Sequence, residues 1–175
     1  SFKRAMSSLP SFGGDFRLKS TSSAEINATK RQDGSRVVEL YVAHFGNVDS
    51  HGEVIEKGAF DDSIEARGPR GEDIIPFLWD HETLLGKSIE VRPDSTGIFQ
   101  VASIDDARDL DRYYEHAKSG AVKRGSIGFL ARRGDFRAET REGRKCSVLQ
   151  RGTMLEGSLV LFPANERAVV VNVRS

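Results

Sequence analysis

Ser126 lies in the run Lys123-Arg124-Gly125-Ser126-Ile127-Gly128-Phe129, where two glycines let another part of the chain approach closely and the apolar residues anchor a strand. Hydrolysis by a serine hydroxyl needs such a fixed, uncrowded residue, a neutral imidazole within hydrogen-bond reach, and a third group that orients the imidazole. His81 is the candidate imidazole, because Phe77-Leu78-Trp79-Asp80-His81-Glu82 runs from an apolar strand into an acidic loop. There the ring sits at a sheet edge with carboxylates nearby to tune it. Glu156 interrupts Met154-Leu155-Glu156-Gly157-Ser158-Leu159-Val160-Leu161-Phe162, and strict alternation puts it on the face of Met154, Ser158 and Val160. A carboxylate buried there needs a partner, and orienting an imidazole is one such use; Asp80 and Asp49 compete for the same part.

Each of these residues also has a plain structural reading. Gly125-Ser126 can be a helix-to-strand turn, His81 a strand-end histidine bonded for structure, and Glu156 a charge that keeps a sheet edge from aggregating. Elsewhere the chemistry is thinner. His116 falls on the polar side of a helix, and His44, Asp49 and His51 share a loop with no second cluster and no His-Glu-x-x-His spacing, so neither a metal nor a cofactor is expected. The Gly-x-Ser-x-Gly elbow of the α/β-hydrolases is missing, as is the strand-and-helix alternation of that fold. Arg132, Arg133, Arg137, Arg141, Arg144 and Lys145 form a basic tip diluted by Asp135, Glu139 and Glu142, the composition of a solvated hairpin rather than of a nucleic-acid surface.

The elements that must position these side chains are mostly strands. Residues 24–45 read as a hairpin turning at Gln32-Asp33-Gly34-Ser35, and residues 85–92 and 97–103 as a second one turning at Pro93-Asp94-Ser95-Thr96. A short helix near residues 58–66 ends at the breakers Gly68, Pro69 and Gly71, with a mobile connection at 67–73 before a strand at 74–79. Leu110, Tyr113, Tyr114 and Ala117 give a helix at 107–119, with Asp106 as its N-cap and Gly120 as its stop. Strands follow at 126–136, 145–150 and 153–162. The total predicts a β-rich α+β fold, a β-barrel or curled sheet carrying a few helices.

The 175 residues suffice for one core. Residues 1–23 are Ser- and Gly-rich without a sustained period and read as a flexible N-terminal arm, leaving 24–175 as the folded domain. With 26 basic and 26 acidic residues there is no global field to draw a polyanion or an acidic membrane. The lone Cys146 fits a reducing, cytosolic setting, and no apolar run approaches the roughly 20 residues of a membrane-spanning helix.

In their order and spacing these segments resemble the prohead serine protease family of tailed phages and prophages, itself distantly similar to the herpesvirus assemblins. The resemblance spans most of residues 37–168. It is carried by Phe45-Gly46-Asn47-Val48-Asp49 leading to Gly58-Ala59-Phe60, by Trp79-Asp80-His81 with Leu85-Gly86, and by Gly125-Ser126-Ile127-Gly128-Phe129. Leu155-Glu156-Gly157-Ser158-Leu159-Val160 with Pro163-Ala164-Asn165 completes it. The resemblance implies His81 as general base, Ser126 as nucleophile, Glu156 as third member, and a closed antiparallel β-barrel wrapped by helices. Gly157 departs from the family, in which an aliphatic or polar side chain often follows the glutamate. Backbone donors for the oxyanion are then sought near Ala164 and Asn165. The implied substrates and partners are the scaffolding protein or the scaffolding arm of the major capsid protein, then the protease itself, with self-association inside the assembling prohead in the host cytoplasm. On this reading the arm is a docking tether or a self-cleavage region. The competing reading is a capsid-associated scaffold or binding module that has lost catalysis.

Overall fold

Eleven strands, several of them rich in β-branched and aromatic residues, are present in the computed structural model, which describes residues 15–21, 26–49, 51–68 and 74–162. The first expected hairpin is β2 (Asn27–Lys30) with β3 (Arg36–His44), and the second is β6 (Thr83–Pro93) with β7 (Gly97–Ile104). Between them come β4 (Glu53–Ile55), helix α1 (Asp61–Arg67) and β5 (Pro76–Trp79). Helix α1 carries Asp61 and Asp62 in its first turn and Arg67 in its last, charges that complement the helix dipole. The connection expected to be mobile lies largely outside the described residues.

The second helix starts later than the apolar period suggests. A 3-10 turn at Arg108–Leu110 precedes α2 (Asp111–Ser119), so Asp106 caps nothing, and no side chain caps the α2 N-terminus. Arg36 accounts for the entry geometry by bonding both the Asp105 carbonyl, at 2.6 Å, and the Asp111 carboxylate. Gly120, with φ of 80°, ends the helix in the left-handed conformation that glycine favours. Tyr113, Tyr114 and Ala117 turn inward as their spacing requires, while His116 faces solvent.

After α2 come β8 (Arg124–Ala131), a 3-10 turn at Arg133–Asp135, β9 (Phe136–Arg141), β10 (Arg144–Leu149) and β11 (Thr153–Val160). The strand expected at 126–136 thus breaks at Arg132, where the Asp135 carboxylate accepts the Arg132 N–H at 2.7 Å and closes a tight turn. The arginines of the tip are partly neutralised: Arg137 pairs with Glu56 at 3.2 Å and Arg141 with Glu139 at 2.5 Å.

Two expectations need correction. The N-terminal arm read at 1–23 contains a strand, β1 (Asp15–Ser20), which pairs antiparallel with β8 from Asp15↔Ala131 to Ser20↔Ser126. Its apolar content is low, but Lys19 and Thr21 are buried by polar contacts that composition does not reveal. The closed antiparallel barrel is also not formed among the described residues. The ladder is an open sheet in the order β1-β8-β11-β5-β6-β7-β3-β2, and β5 runs parallel to β11.

Register shifts at Tyr41/Ala43, Phe77/Leu78, Ser88/Glu90 and Met154/Glu156 curl this sheet, as bulges do. The curl brings β8 against β3, so closely that a Cβ at Gly125 would lie 2.2 Å from the Tyr41 carbonyl oxygen. A smaller sheet, β4-β10-β9, flanks it. Inside the curl lies one main core that includes Leu40, Phe77, Leu85, Ile98, Ile127 and Phe129. Phe60 after β4 meets Phe129 edge-on at 5.2 Å, a contact worth about 0.5–1.5 kcal/mol beyond area burial. Gly157 has a packing reason: a Cβ there would overlap the buried Gln100 side chain at 1.8 Å.

Candidate active site

Strand β11 lies between β8 and β5, and this order gathers the three candidate residues. Ser126 is the third residue of β8 and pairs with Ser158 of β11. His81 sits in the turn between β5 and β6, where Asp80 and His81 both have positive φ, 58° and 60°, and Glu82 N–H donates to the Trp79 carbonyl at 3.0 Å. Non-glycine residues seldom adopt such a pair of dihedrals, and they persist only where surroundings over-determine them. Here β11 does so: Asp80 N–H donates to the Leu159 carbonyl at 2.8 Å and His81 N–H to the Ser158 hydroxyl at 3.2 Å. The main chain is thus fastened to the strand that carries the carboxylate.

The His81 ring spans two partners. Its Nε2 is 2.8 Å from Ser126 Oγ, and its Nδ1 contacts Glu156 Oε1. With the carboxylate ionised, Nδ1 carries the proton and Nε2 presents a lone pair to the serine hydroxyl, the tautomer a general base requires. Glu156 is held in turn, because the Ser158 hydroxyl donates to Oε2 at 2.6 Å. Ser126, His81, Glu156 and Ser158 have no solvent exposure. Hydrogen bonds inside such a dry site are electrostatically stronger than in water.

Alternation along β11 does not hold as expected. Met154 pairs with Phe129 and Glu156 with Gly128, so the intervening bulge turns Glu156 to the opposite face from Met154 and leaves it beside Ser158. Met154 joins the apolar core while Glu156 enters the polar site. The two glycines flanking Ser126 serve different purposes. Gly125 admits the β3 backbone, whereas Gly128 clears the Glu156 carboxylate, since a Cβ there would lie 2.2 Å from Oε1.

The rivals for the third place go elsewhere. Asp49 Oδ1 accepts the N–H groups of His51 and Glu53 at 2.9 and 2.8 Å, which shapes the loop before β4, and Asp80 reaches β11 through its main chain. His44 ends β3 against the Tyr41 ring. Ala164 and Asn165, the expected oxyanion donors, lie outside the described residues. Sequence reasoning missed Ser158 as a partner of both Glu156 and His81, although its shared face with Glu156 was the available signal. It also missed β1: the Ser20 hydroxyl donates to Ser126 Oγ at 3.0 Å, and Ser126 Oγ is 3.1 Å from the Lys19 carbonyl oxygen.

The chain is 26% identical over 166 residues to the prohead protease of Enterobacteria phage HK97, covering 90% of this chain and 69% of that one. Its fold is similar to that of the bacteriophage T4 capsid assembly protease, with a TM-score of 0.60, 11% identity, and coverage of 85% of this chain and 98% of the other. The family model for the caudovirus prohead serine proteases matches residues 22–175. With nearly the whole chain matched, from the Ser126 strand to the Glu156 strand, the protein belongs to the caudovirus prohead serine protease family and is a protease of prohead maturation.

Proposed function

We propose that Ser126 is the nucleophile of this protease, His81 its general base and Glu156 the group that orients the imidazole. The observation that carries the assignment is the single ring shared between Ser126 Oγ, at 2.8 Å, and the buried Glu156 carboxylate. In the first step Ser126 Oγ attacks a peptide carbonyl while its proton passes to His81 Nε2. His81 then returns that proton to the departing amine, and water hydrolyses the acyl-serine by the same route. Glu156 holds the imidazolium in place and stabilises it. The substrates are the scaffolding protein or the scaffolding arm of the major capsid protein, cut within the assembling prohead in the host cytoplasm, where the protease associates with itself.

A fluorophosphonate probe tests the site: labelling of the wild-type protein that is lost in both Ser126→Ala and His81→Ala supports it. Coexpression with the capsid protein tests the role, because wild type yields shortened capsid subunits and Ser126→Ala does not. Absence of labelling in assembled wild-type protein would instead favour a capsid-bound module without catalysis.

A further inference from the structure

Strand β1 occupies the place that an extended peptide substrate needs. It adds to the free edge of the strand bearing the candidate nucleophile, by the backbone pairing through which sheet edges capture peptides, and it lies outside residues 22–175 that the family model matches. Ser20 is opposite Ser126, and Thr21 clamps Gly125 with its N–H and its hydroxyl donating to the Gly125 carbonyl at 2.9 and 3.1 Å. The Ser126 hydroxyl donates to the Lys19 carbonyl oxygen at 3.1 Å, so the Lys19–Ser20 peptide group lies against the candidate nucleophile.

The side chain of that residue is received by a built pocket. Lys19 is 6% exposed, its Nζ donates to the Glu53 carbonyl at 2.9 Å and is 3.7 Å from the Asp49 carboxylate. Two residues earlier, on the same face of the strand, Arg17 pairs with Glu53 Oε1 at 3.0 Å and lies over the Phe136 ring at 4.6 Å. An ammonium taken this far out of water is tolerated only where oxygen atoms are placed to meet it. Burial pulls the Lys19 ammonium below its usual pKa, and the negative charges of Asp49 and Glu53 oppose that shift.

Resting on the catalytic assignment above, we propose that Asp49 and Glu53 form a specificity pocket selecting lysine on the acyl side of the scissile bond, and that Lys19–Ser20 is a bond the enzyme cuts in its own chain. Ser126 Oγ bonds to the Lys19 carbonyl carbon, the C–N bond to Ser20 breaks, and the hydroxyl proton travels through His81 to the Ser20 amine. Water then releases Lys19 as a free carboxylate and restores Ser126. Until that cut, β1 fills the groove and holds other chains out of it.

The 175-residue protein is incubated and followed by intact mass and N-terminal sequencing. In parallel it is given the peptide Asp15-Phe16-Arg17-Leu18-Lys19-Ser20-Thr21 and the same peptide with norleucine for lysine. The expected results are a new N-terminus at Ser20, absent in Ser126→Ala, and a kcat/KM at least about tenfold lower for the norleucine peptide. Asp49→Asn, which keeps the loop-shaping acceptor, should shrink that preference several-fold. Equal cleavage of both peptides, or a cut at another bond, with fluorophosphonate labelling of Ser126 intact, overturns the pocket and leaves the protease assignment standing. Loss of labelling together with every cut overturns both.

Discussion

Replacing Gly128 with alanine tests the site without touching any residue that reacts. The added methyl would lie 2.2 Å from Glu156 Oε1, 2.9 Å from Cδ and 3.1 Å from Cγ, whereas ordinary contact begins near 3.4 Å. Oε1 must therefore retreat by 3.4 − 2.2 = 1.2 Å. The carboxylate cannot swing into solvent, because it is fully buried and its other oxygen is held by Ser158. Its displacement breaks the contact with His81 Nδ1. Misplacing a catalytic group by about 1 Å costs on the order of 100-fold, and losing the orienting acid altogether up to about 10⁴-fold, so kcat/KM should fall about 10²–10³-fold, or ~2.7–4 kcal/mol. The assay is peptide or capsid-protein cleavage alongside a thermal melt. In a Glu156→Gln background the same substitution should add less than about tenfold, since both changes remove one interaction. Gly128→Ala retaining wild-type kcat/KM, or a full additional 10²-fold loss in the double variant, would refute the argument.

Ser158→Ala removes the hydroxyl that bonds both Glu156 Oε2 and the His81 N–H; it should lower kcat/KM about tenfold and cost ~1–3 kcal/mol in chemical denaturation. Gly125→Ala places a methyl 3.1 Å from the Leu40 Cδ1 side-chain atom and 2.2 Å from the Tyr41 carbonyl oxygen, backbone that cannot yield cheaply, and should destabilise by ~1–3 kcal/mol, seen by calorimetry as a Tm lower by about 3–10 °C. Burial holds the His44 imidazole below its usual pKa, with Asp94 opposing. The neutral ring is therefore favoured in the fold, and the stability it gives is present above the unfolded pKa near 6.5 and lost as pH falls through that value towards the folded one. His44→Gln should lose less Tm than wild type between pH 7.5 and 5.5, and parallel curves for the two proteins would count against this account.

Local chemistry made most of the strands readable. Asp33-Gly34 and the turn at 93–96 placed two hairpins, and the Leu110/Tyr113/Tyr114/Ala117 period placed the buried face of α2. What local chemistry could not give was register. Whether Glu156 faces the core or the site depends on a one-residue bulge opposite Phe129 and Gly128, a property of two strands some 28 positions apart. Among the described residues the sheet is not closed into a barrel, and the parallel pairing of β5 with β11 is likewise a long-range choice that no local pattern reveals. Strand β1 was the least visible element, since its burial rests on an ion pair and backbone bonds to residues 30 or more positions away rather than on apolar side chains. His81, Ser126 and Glu156 stood out as residue types; their juxtaposition required the fold.

The interleaving of β11 between β8 and β5 has a consequence for when the enzyme can act. On the ribosome the serine and histidine strands emerge first, with a gap where β11 belongs. Until that later segment is synthesised and slots into place, the imidazole lacks its carboxylate and the turn bearing it lacks its anchor. With the roles proposed above, a copy in which β11 has not yet docked lacks its oriented base, so full cutting power awaits that strand.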